Sequence, residues 1–153
     1  MHTLEPILTE LPLFQGMKPE HLALIAGCAS NVRFEAGEFI GRQGQPADRF
    51  WIVRQGRVAI ETHAPGRGAL TISTVGDNEV LGWSWLLPPH LWHFDAHALT
   101  PTRAVALDGR CLRGKFTSDY EFGYEVMRRF APLIAQRLEA TSIQLLDIYG
   151  NKG

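Results

Sequence analysis

The sequence has few of the features that mark secreted or membrane proteins. Only 2 of its 153 residues are cysteine, and they lie far apart without a CxxC motif, so nothing indicates a disulfide framework. No apolar stretch approaches the roughly 20 residues of a membrane helix, and the N-terminus lacks the basic segment and apolar core of a signal peptide. We therefore expect a cytoplasmic protein in a reducing compartment, without a membrane contact.

An excess of charge of one sign is also missing. The 15 Lys and Arg residues balance 16 Asp and Glu residues, which gives a formal net charge of -1. Such a chain lacks the broad positive field that attracts phosphate backbones. We therefore expect no direct contact with nucleic acid. The length fits one domain with a single core.

Three regions of this single domain, spanning 1–153, differ in composition. Apolar residues at helical spacing predict short helices in 1–30. Short β-branched and aromatic runs, repeatedly broken by glycine, predict strands in 31–109. Helices are predicted again in 110–150, ending in a long tract from about Tyr120 to Ile148. The expected fold class is mixed α+β: a double-stranded β-helix, that is, a jelly-roll-like β-roll, flanked by short N-terminal helices and a long C-terminal dimerisation helix.

The last helix carries a narrow apolar seam with a spacing of 4, 3, 4 and 3 residues, which is a heptad pattern with one polar member. Its members are Ile134, Leu138, Thr141, Leu145 and Ile148. The seam is explained either by packing on the chain's own β-roll or by pairing with a second copy. We favour a homodimer, because the tract is long for a domain of this size.

A specific pattern of glycines and apolar residues runs from Phe34 to Val58. It comprises Gly37-Glu38-Phe39-Ile40, a Gly44 to Asp48 turn, the strand Phe50 to Val53, and the hairpin Gly56-Arg57-Val58. This pattern resembles the cyclic-nucleotide-binding domain of the catabolite-activator (Crp/Fnr) type, and the resemblance covers almost the whole chain. It implies a non-catalytic sensor or regulatory module that binds a small ligand and acts on a regulated protein partner.

Transcription factors of this family carry a helix-turn-helix after the dimer helix. This chain ends before such a unit begins, so we expect no DNA-binding domain.

The resemblance also implies a ligand site. In the family, a phosphate-binding cassette supplies a Gly-Glu pair, a short helix and an Arg, which together hold the ribose and the cyclic phosphate. Gly82 matches the cassette glycine, but Trp83 stands where the Glu is expected, and no Arg lies between Gly82 and Asp95. An indole cannot accept a hydrogen bond from a ribose hydroxyl, and a missing guanidinium removes a charge-assisted contact to phosphate. We therefore expect weak or altered nucleotide binding, with a cyclic nucleotide or another small anion as the ligand and no cofactor.

The candidate ligand-binding residues come from the cassette, the following strand and the last helix. They are Gly82, Trp83, Ser84, Trp85, His97, Thr141 and Ser142. His97 matches a position that is often basic in relatives. Thr141 and Ser142 resemble a pair that reaches the purine base in the family's dimer helix, although such residues also bond to carbonyl groups of their own helix.

A second hypothesis starts from the densest group of metal-ligating side chains. On a strand, His93, Asp95 and His97 would point to one face, so the alternative is a small metal-dependent, cupin-like β-roll enzyme. Histidines of the core or the surface explain the group more simply. Ser84 lies in G-W-S-W rather than in the nucleophile motif G-x-S-x-G. We therefore expect no enzyme and no metal site.

Overall fold

The computed structural model describes residues 4–64, 66 and 68–150, and for residues 64 and 138–150 it describes the backbone only. A single 3-10 turn follows the first helix at Pro12–Phe14. The elements are, in chain order, α1 (Glu5–Glu10), α2 (Pro19–Ala26), β1 (Ala29–Phe34), β2 (Phe39–Gly41), β3 (Arg49–Gln55), β4 (Val58–Ala64), β5 (Gly68–Val75), β6 (Val80–Leu81), β7 (Asp95–Ala98), β8 (Thr102–Asp108), α3 (Gly109–Ser118) and α4 (Tyr120–Gly150).

The strands form two four-stranded sheets that face each other. Their orders are β1-β8-β3-β6 and β2-β7-β4-β5, and the strand pairs are antiparallel. Helices before and after the strands pack on the outer face of the first sheet. The expected mixed α+β β-roll with flanking helices is therefore confirmed.

Strand β3 is buried on both faces, which explains its unbroken apolar run. Phe50 and Ile52 pack against the helices, whereas Trp51 and Val53 pack against the second sheet. Side chains alternate along a strand, so a strand between two layers needs apolar residues at every position. This strand therefore separates the two hydrophobic cores of the molecule.

The two cysteines are joined, although nothing in the sequence indicated a disulfide. Cys28 and Cys111 form a disulfide with a Cα–Cα distance of 5.9 Å. They meet because β1 runs antiparallel to β8, with Ala29 opposite Leu107; Cys28 directly precedes β1 and Cys111 lies in the first turn of α3. Stable disulfides are rare in reducing compartments, so the disulfide removes one support for a cytoplasmic location.

The predicted long C-terminal helix is present as α4, which has 31 residues. Its first half packs on the chain's own core through Phe122, Val126 and Phe130, and Ile134 of the apolar seam packs there as well. The other seam residues, from Leu138 onward, lie outside the residues whose side chains are described. The dimer therefore stays a prediction. Among the described residues, no helix has both the length and the apolar character needed to cross a membrane.

Candidate functional site

The cassette begins where β6 ends, at a glycine whose backbone only glycine adopts readily. Gly82 has a φ of 92°, in the left-handed region where a side chain would be strained. Strand β6 holds it in place because Leu81 pairs with Trp51 of β3. Residues 83–90 then form turns: the Leu86 amide donates to the Trp83 carbonyl at 3.1 Å. The short helix that the resemblance implies is not formed here.

A small, partly open space lies beside this cassette. Its volume is about 30 Å³, which is small for a ligand pocket. We call it the cassette pocket; its lining is Ala47, Arg49, Ile60, Leu81, Gly82, Trp83, Ser84, Trp92, His93, Phe94 and Arg137. Trp83, Trp92 and Phe94 contribute aromatic rings to this lining.

Two of these aromatic rings are held by specific contacts. Trp83 stacks on His93, with ring centroids 5.9 Å apart and an interplanar angle of 29°. Trp92 lies directly over Gly41, where an added Cβ atom would come within 2.5 Å of the indole. The glycine therefore makes room for the ring that narrows the pocket.

Positive charge reaches the pocket from distant parts of the chain. Arg49 comes from β3 and Arg137 from α4, and both line the cassette pocket. Nη2 of Arg137 donates to the Val80 carbonyl at 3.3 Å. Burial lowers the pKa of Arg137, and the nearby Glu79 carboxylate opposes that shift. Because an arginine stays protonated in proteins, a partly desolvated cation faces the pocket.

No Arg lies inside the cassette segment, as the sequence shows, but two guanidinium groups from other elements line the same pocket. The expected loss of the phosphate contact stays a prediction. Arg137 was detectable in the sequence, because it lies one helical turn before Thr141 and so shares a helix face with it.

The cyclic nucleotide-binding domain family matches residues 31–119, more than half of the chain. This chain belongs to that family.

The relatives of this cyclic nucleotide-binding domain support the Crp/Fnr resemblance. A CRP-like cAMP-activated global transcriptional regulator of Mycobacterium tuberculosis is 27% identical over 145 residues, which are 95% of this chain and 63% of the regulator. The chain thus spans less than two thirds of that relative.

Solved structures share the fold. A cyclic nucleotide-binding domain from Methylobacillus flagellatus superposes with a TM-score of 0.80 at 18% identity, covering 96% of this chain and 86% of that one. The catabolite activator protein of Thermus thermophilus gives a TM-score of 0.72 at 24% identity, covering 91% of this chain and 63% of that one.

The structure brings only some of the predicted site residues of this cyclic nucleotide-binding domain together. Gly82, Trp83 and Ser84 line the cassette pocket. Trp85 does not: its side chain is fully buried in the core beneath the helices, stacked on Phe50 with centroids 4.7 Å apart. We therefore remove Trp85 from the candidate ligand-binding residues.

His97 lies on the outer face of the second sheet, away from the pocket. Its neighbours Ala96 and Ala98 are buried, so the alternating side chain of His97 points to the other face. Its Nδ1 atom lies 2.5 Å from Oε1 of Glu61, although the contact does not have the angles of a hydrogen bond. Nothing in this placement brings His97 near Gly82.

Thr141 and Ser142 lie in α4, outside the residues whose side chains are described. Their contact with a purine base stays a prediction.

The proposed metal ligands have separate partners. Asp95 accepts a hydrogen bond from the Gln43 amide at 2.7 Å and lies 3.0 Å from Nε2 of His63. The pKa of Asp95 is lowered, first by the Gln43 amide and then by His63, while burial opposes the shift. His93 precedes β7, so it does not share the strand alternation that was expected to align it with Asp95 and His97.

Across the described part of the chain, no three His, Cys, Asp or Glu side chains are grouped so that they could hold a metal ion. The cupin-like alternative therefore receives no support.

Proposed function

We propose that this chain is a non-catalytic regulatory module that senses a small anion, and that it binds cyclic AMP and cyclic GMP weakly. The observation that carries this proposal is Trp83, which matches the position of the family's ribose-binding carboxylate and lines the cassette pocket of about 30 Å³.

The chemistry of Trp83 opposes a ribose ring in two ways. An indole N–H only donates hydrogen bonds, so the ribose hydroxyl loses its acceptor. That loss amounts to about 1.5–3 kcal/mol for a hydrogen bond to a charged group. A nucleotide must also displace the Trp83–His93 stack.

The same pocket keeps the elements that bind a small anion. Arg49 and Arg137 supply positive charge, and guanidinium groups pair with phosphate or carboxylate through parallel hydrogen bonds. Ser84 adds a hydroxyl donor. These groups support a ligand that presents negative charge without requiring a ribose acceptor.

Calorimetry with cyclic AMP and cyclic GMP tests the proposal. We expect no binding tighter than about 100 μM, equivalent to about −5.5 kcal/mol. Trp83→Glu, which restores the acceptor, should bind more tightly than Trp83→Leu, which opens the space without restoring it. Micromolar affinity in the unmodified protein would contradict the proposal, as would equal gains in the two variants.

The anion itself is best found by a thermal-shift screen, because a ligand raises stability in proportion to the logarithm of its concentration over its Kd. A ligand of the cassette pocket should bind more weakly in Arg49→Gln, because Arg49 lines this pocket. A ligand that binds Arg49→Gln as tightly as the unmodified protein lies outside the cassette pocket.

Dimerisation through the second half of α4 is part of the same proposal. Leu138→Glu combined with Leu145→Glu would place carboxylates in the seam, which is strongly unfavourable if the seam is buried. We expect the double variant to be monomeric by light scattering while the unmodified chain is dimeric. Equal masses would refute the dimer.

The regulated partner of the module is proposed to be a protein, since the chain's net charge of -1 does not favour nucleic acid. A cytoplasmic location stays part of the proposal, although the disulfide between Cys28 and Cys111 is an argument against it. The location is tested by lysing cells in acid, which preserves the state of the cysteines, and then titrating the free thiols of this protein.

A further inference from the structure

A much larger cavity lies next to the cassette pocket, between α4 and the turn that connects β5 to β6. Its volume is about 580 Å³, against about 30 Å³ for the cassette pocket. We call it the helix cleft; Asn78, Glu79 and Val80 line one side, and α4 lines the other with residues from Arg128 to Arg137. We propose that the helix cleft is a second ligand site, for an organic anion that carries an aromatic ring.

The charge of the cleft favours an anion. Arg128, Arg129 and Arg137 line it, with Glu79 as the only carboxylate in that lining among the described residues. The carboxylate of Glu79 is engaged by the Gly76 amide at 3.0 Å. Glu125, just outside, bonds to Arg128 and Arg129. Among the described residues, three guanidinium groups therefore line the cleft beside two carboxylates, of which Glu125 is shared by Arg128 and Arg129.

One arginine is held rigidly in place. Nη1 of Arg129 donates to the Leu13 carbonyl at 2.9 Å and to the Gln15 carbonyl at 2.8 Å, and its Nε donates to Glu125 at 2.7 Å. None of these bonds uses Nη2, so among the described residues the N–H groups of Nη2 are the ones left to donate to a ligand. A guanidinium that is already positioned loses little freedom when it binds a phosphate or carboxylate.

The other lining of the cleft is apolar. Leu13, Val80, Phe130 and Leu133 contribute to it, and Trp83 lines both the helix cleft and the cassette pocket. Ligand sites commonly combine an apolar, aromatic lining with a few polar groups that fix orientation. An aromatic ring fits beside Leu133 and Trp83 while its anionic group reaches the arginines.

The site is separate from the function proposed above. The cassette pocket and the helix cleft share only Trp83 and Arg137 among the described residues. A ligand in the cleft needs neither a cyclic phosphate nor the cassette glycine.

Phenyl phosphate is a suitable probe, because it carries both an aromatic ring and an anionic group. Two comparison compounds each lack one of these features: inorganic phosphate has no ring, and phenol has no negative charge. We expect phenyl phosphate to bind with a Kd below about 1 mM, and both comparison compounds to bind at least about tenfold more weakly. In ¹H–¹⁵N spectra, the Val80 and Gln136 amides should shift, whereas the Ser84 and His93 amides report on the cassette pocket. Two results overturn the proposal: shifts confined to the Ser84 and His93 amides, or no shift of any amide at phenyl phosphate concentrations up to about 10 mM, roughly ten times that Kd.

Two variants and a control locate the contact further. Arg128→Gln should weaken phenyl phosphate about tenfold, and Gln136→Trp, at an exposed position of the cleft, should abolish binding by filling it. Arg110→Gln makes the same change of charge at an exposed position outside the cleft and should alter the Kd less than about twofold. Equal losses in Arg128→Gln and Arg110→Gln, or unchanged binding in Gln136→Trp, overturn the proposal. Inorganic phosphate that binds as tightly as phenyl phosphate refutes the aromatic part. Cyclic nucleotide titrations, read at Ser84, are an independent test of the cassette pocket.

Discussion

Removal of the Cys28–Cys111 disulfide, which lies at the edge of the core beneath the helices, is expected to destabilise the folded chain strongly. The bond closes a loop of 83 residues, which contains the whole β-roll. The chain-entropy relation gives about 4.5 kcal/mol for a loop of that length, within the 2–5 kcal/mol usual for a native disulfide. For a chain of this size, that loss lowers the melting temperature by about 10–15 °C.

Urea unfolding of the oxidised protein, the reduced protein and the double variant Cys28→Ser/Cys111→Ser measures the effect. We expect the reduced protein and the double variant to lose similar stability, because both lack the same constraint on the unfolded chain. A reductant should not change the stability of the double variant. This control shows that the reductant acts on the folded protein only through the disulfide. Two freely titrating thiols in the oxidised, folded protein would refute the reasoning, and so would a loss below about 1 kcal/mol, which falls short of the typical range.

Two further changes test the contacts around the roll. Gly41→Ala should lower the free energy of unfolding by about 1–3 kcal/mol through overpacking, since the added Cβ would lie 2.5 Å from the Trp92 ring. Gly114→Ala is the matched control, because nothing lies within 4 Å of its added Cβ. In a urea titration, this control should be neutral or stabilising. The Asp95 carboxyl group has a lower pKa in the folded chain than in the unfolded chain. Its ionised form therefore stabilises the fold at any pH above the unfolded-state pKa, and this stabilisation is lost as the pH falls through the folded-state pKa. The stability of Asp95→Asn should therefore depend less on pH below about pH 4, and equal pH dependence in both proteins would contradict this assignment.

The fold was predictable because its signals are local. The apolar run from Phe50 to Val53 lies in β3, and the run from Ala104 to Leu107 lies in β8. The tract expected from Tyr120 to Ile148 is α4, which continues to Gly150. Each of these elements is determined mainly by the period of its apolar residues and by the glycines that separate the strands.

The disulfide and the position of Trp85 were not predictable in the same way. Cys28 and Cys111 meet only because β1 pairs with β8. The residues of one strand do not indicate which other strand it pairs with. Trp85 was grouped with Trp83 because both belong to the cassette segment that begins at Gly82. The turn after Gly82 sends one ring to the cassette pocket and the other into the core.

The arginines show how a site can be misjudged from its own segment. The cassette segment from Gly82 to Asp95 contains no arginine, and this alone suggests a pocket without charge. Arg49 and Arg137 line the pocket from a strand and a helix elsewhere in the chain. Burial already weakens the hydration of Arg137, and an anion beside a partly desolvated cation interacts more strongly than it would in bulk water. An indole at position 83 therefore excludes one way of binding a ligand, through the ribose, without removing the charge that attracts anions.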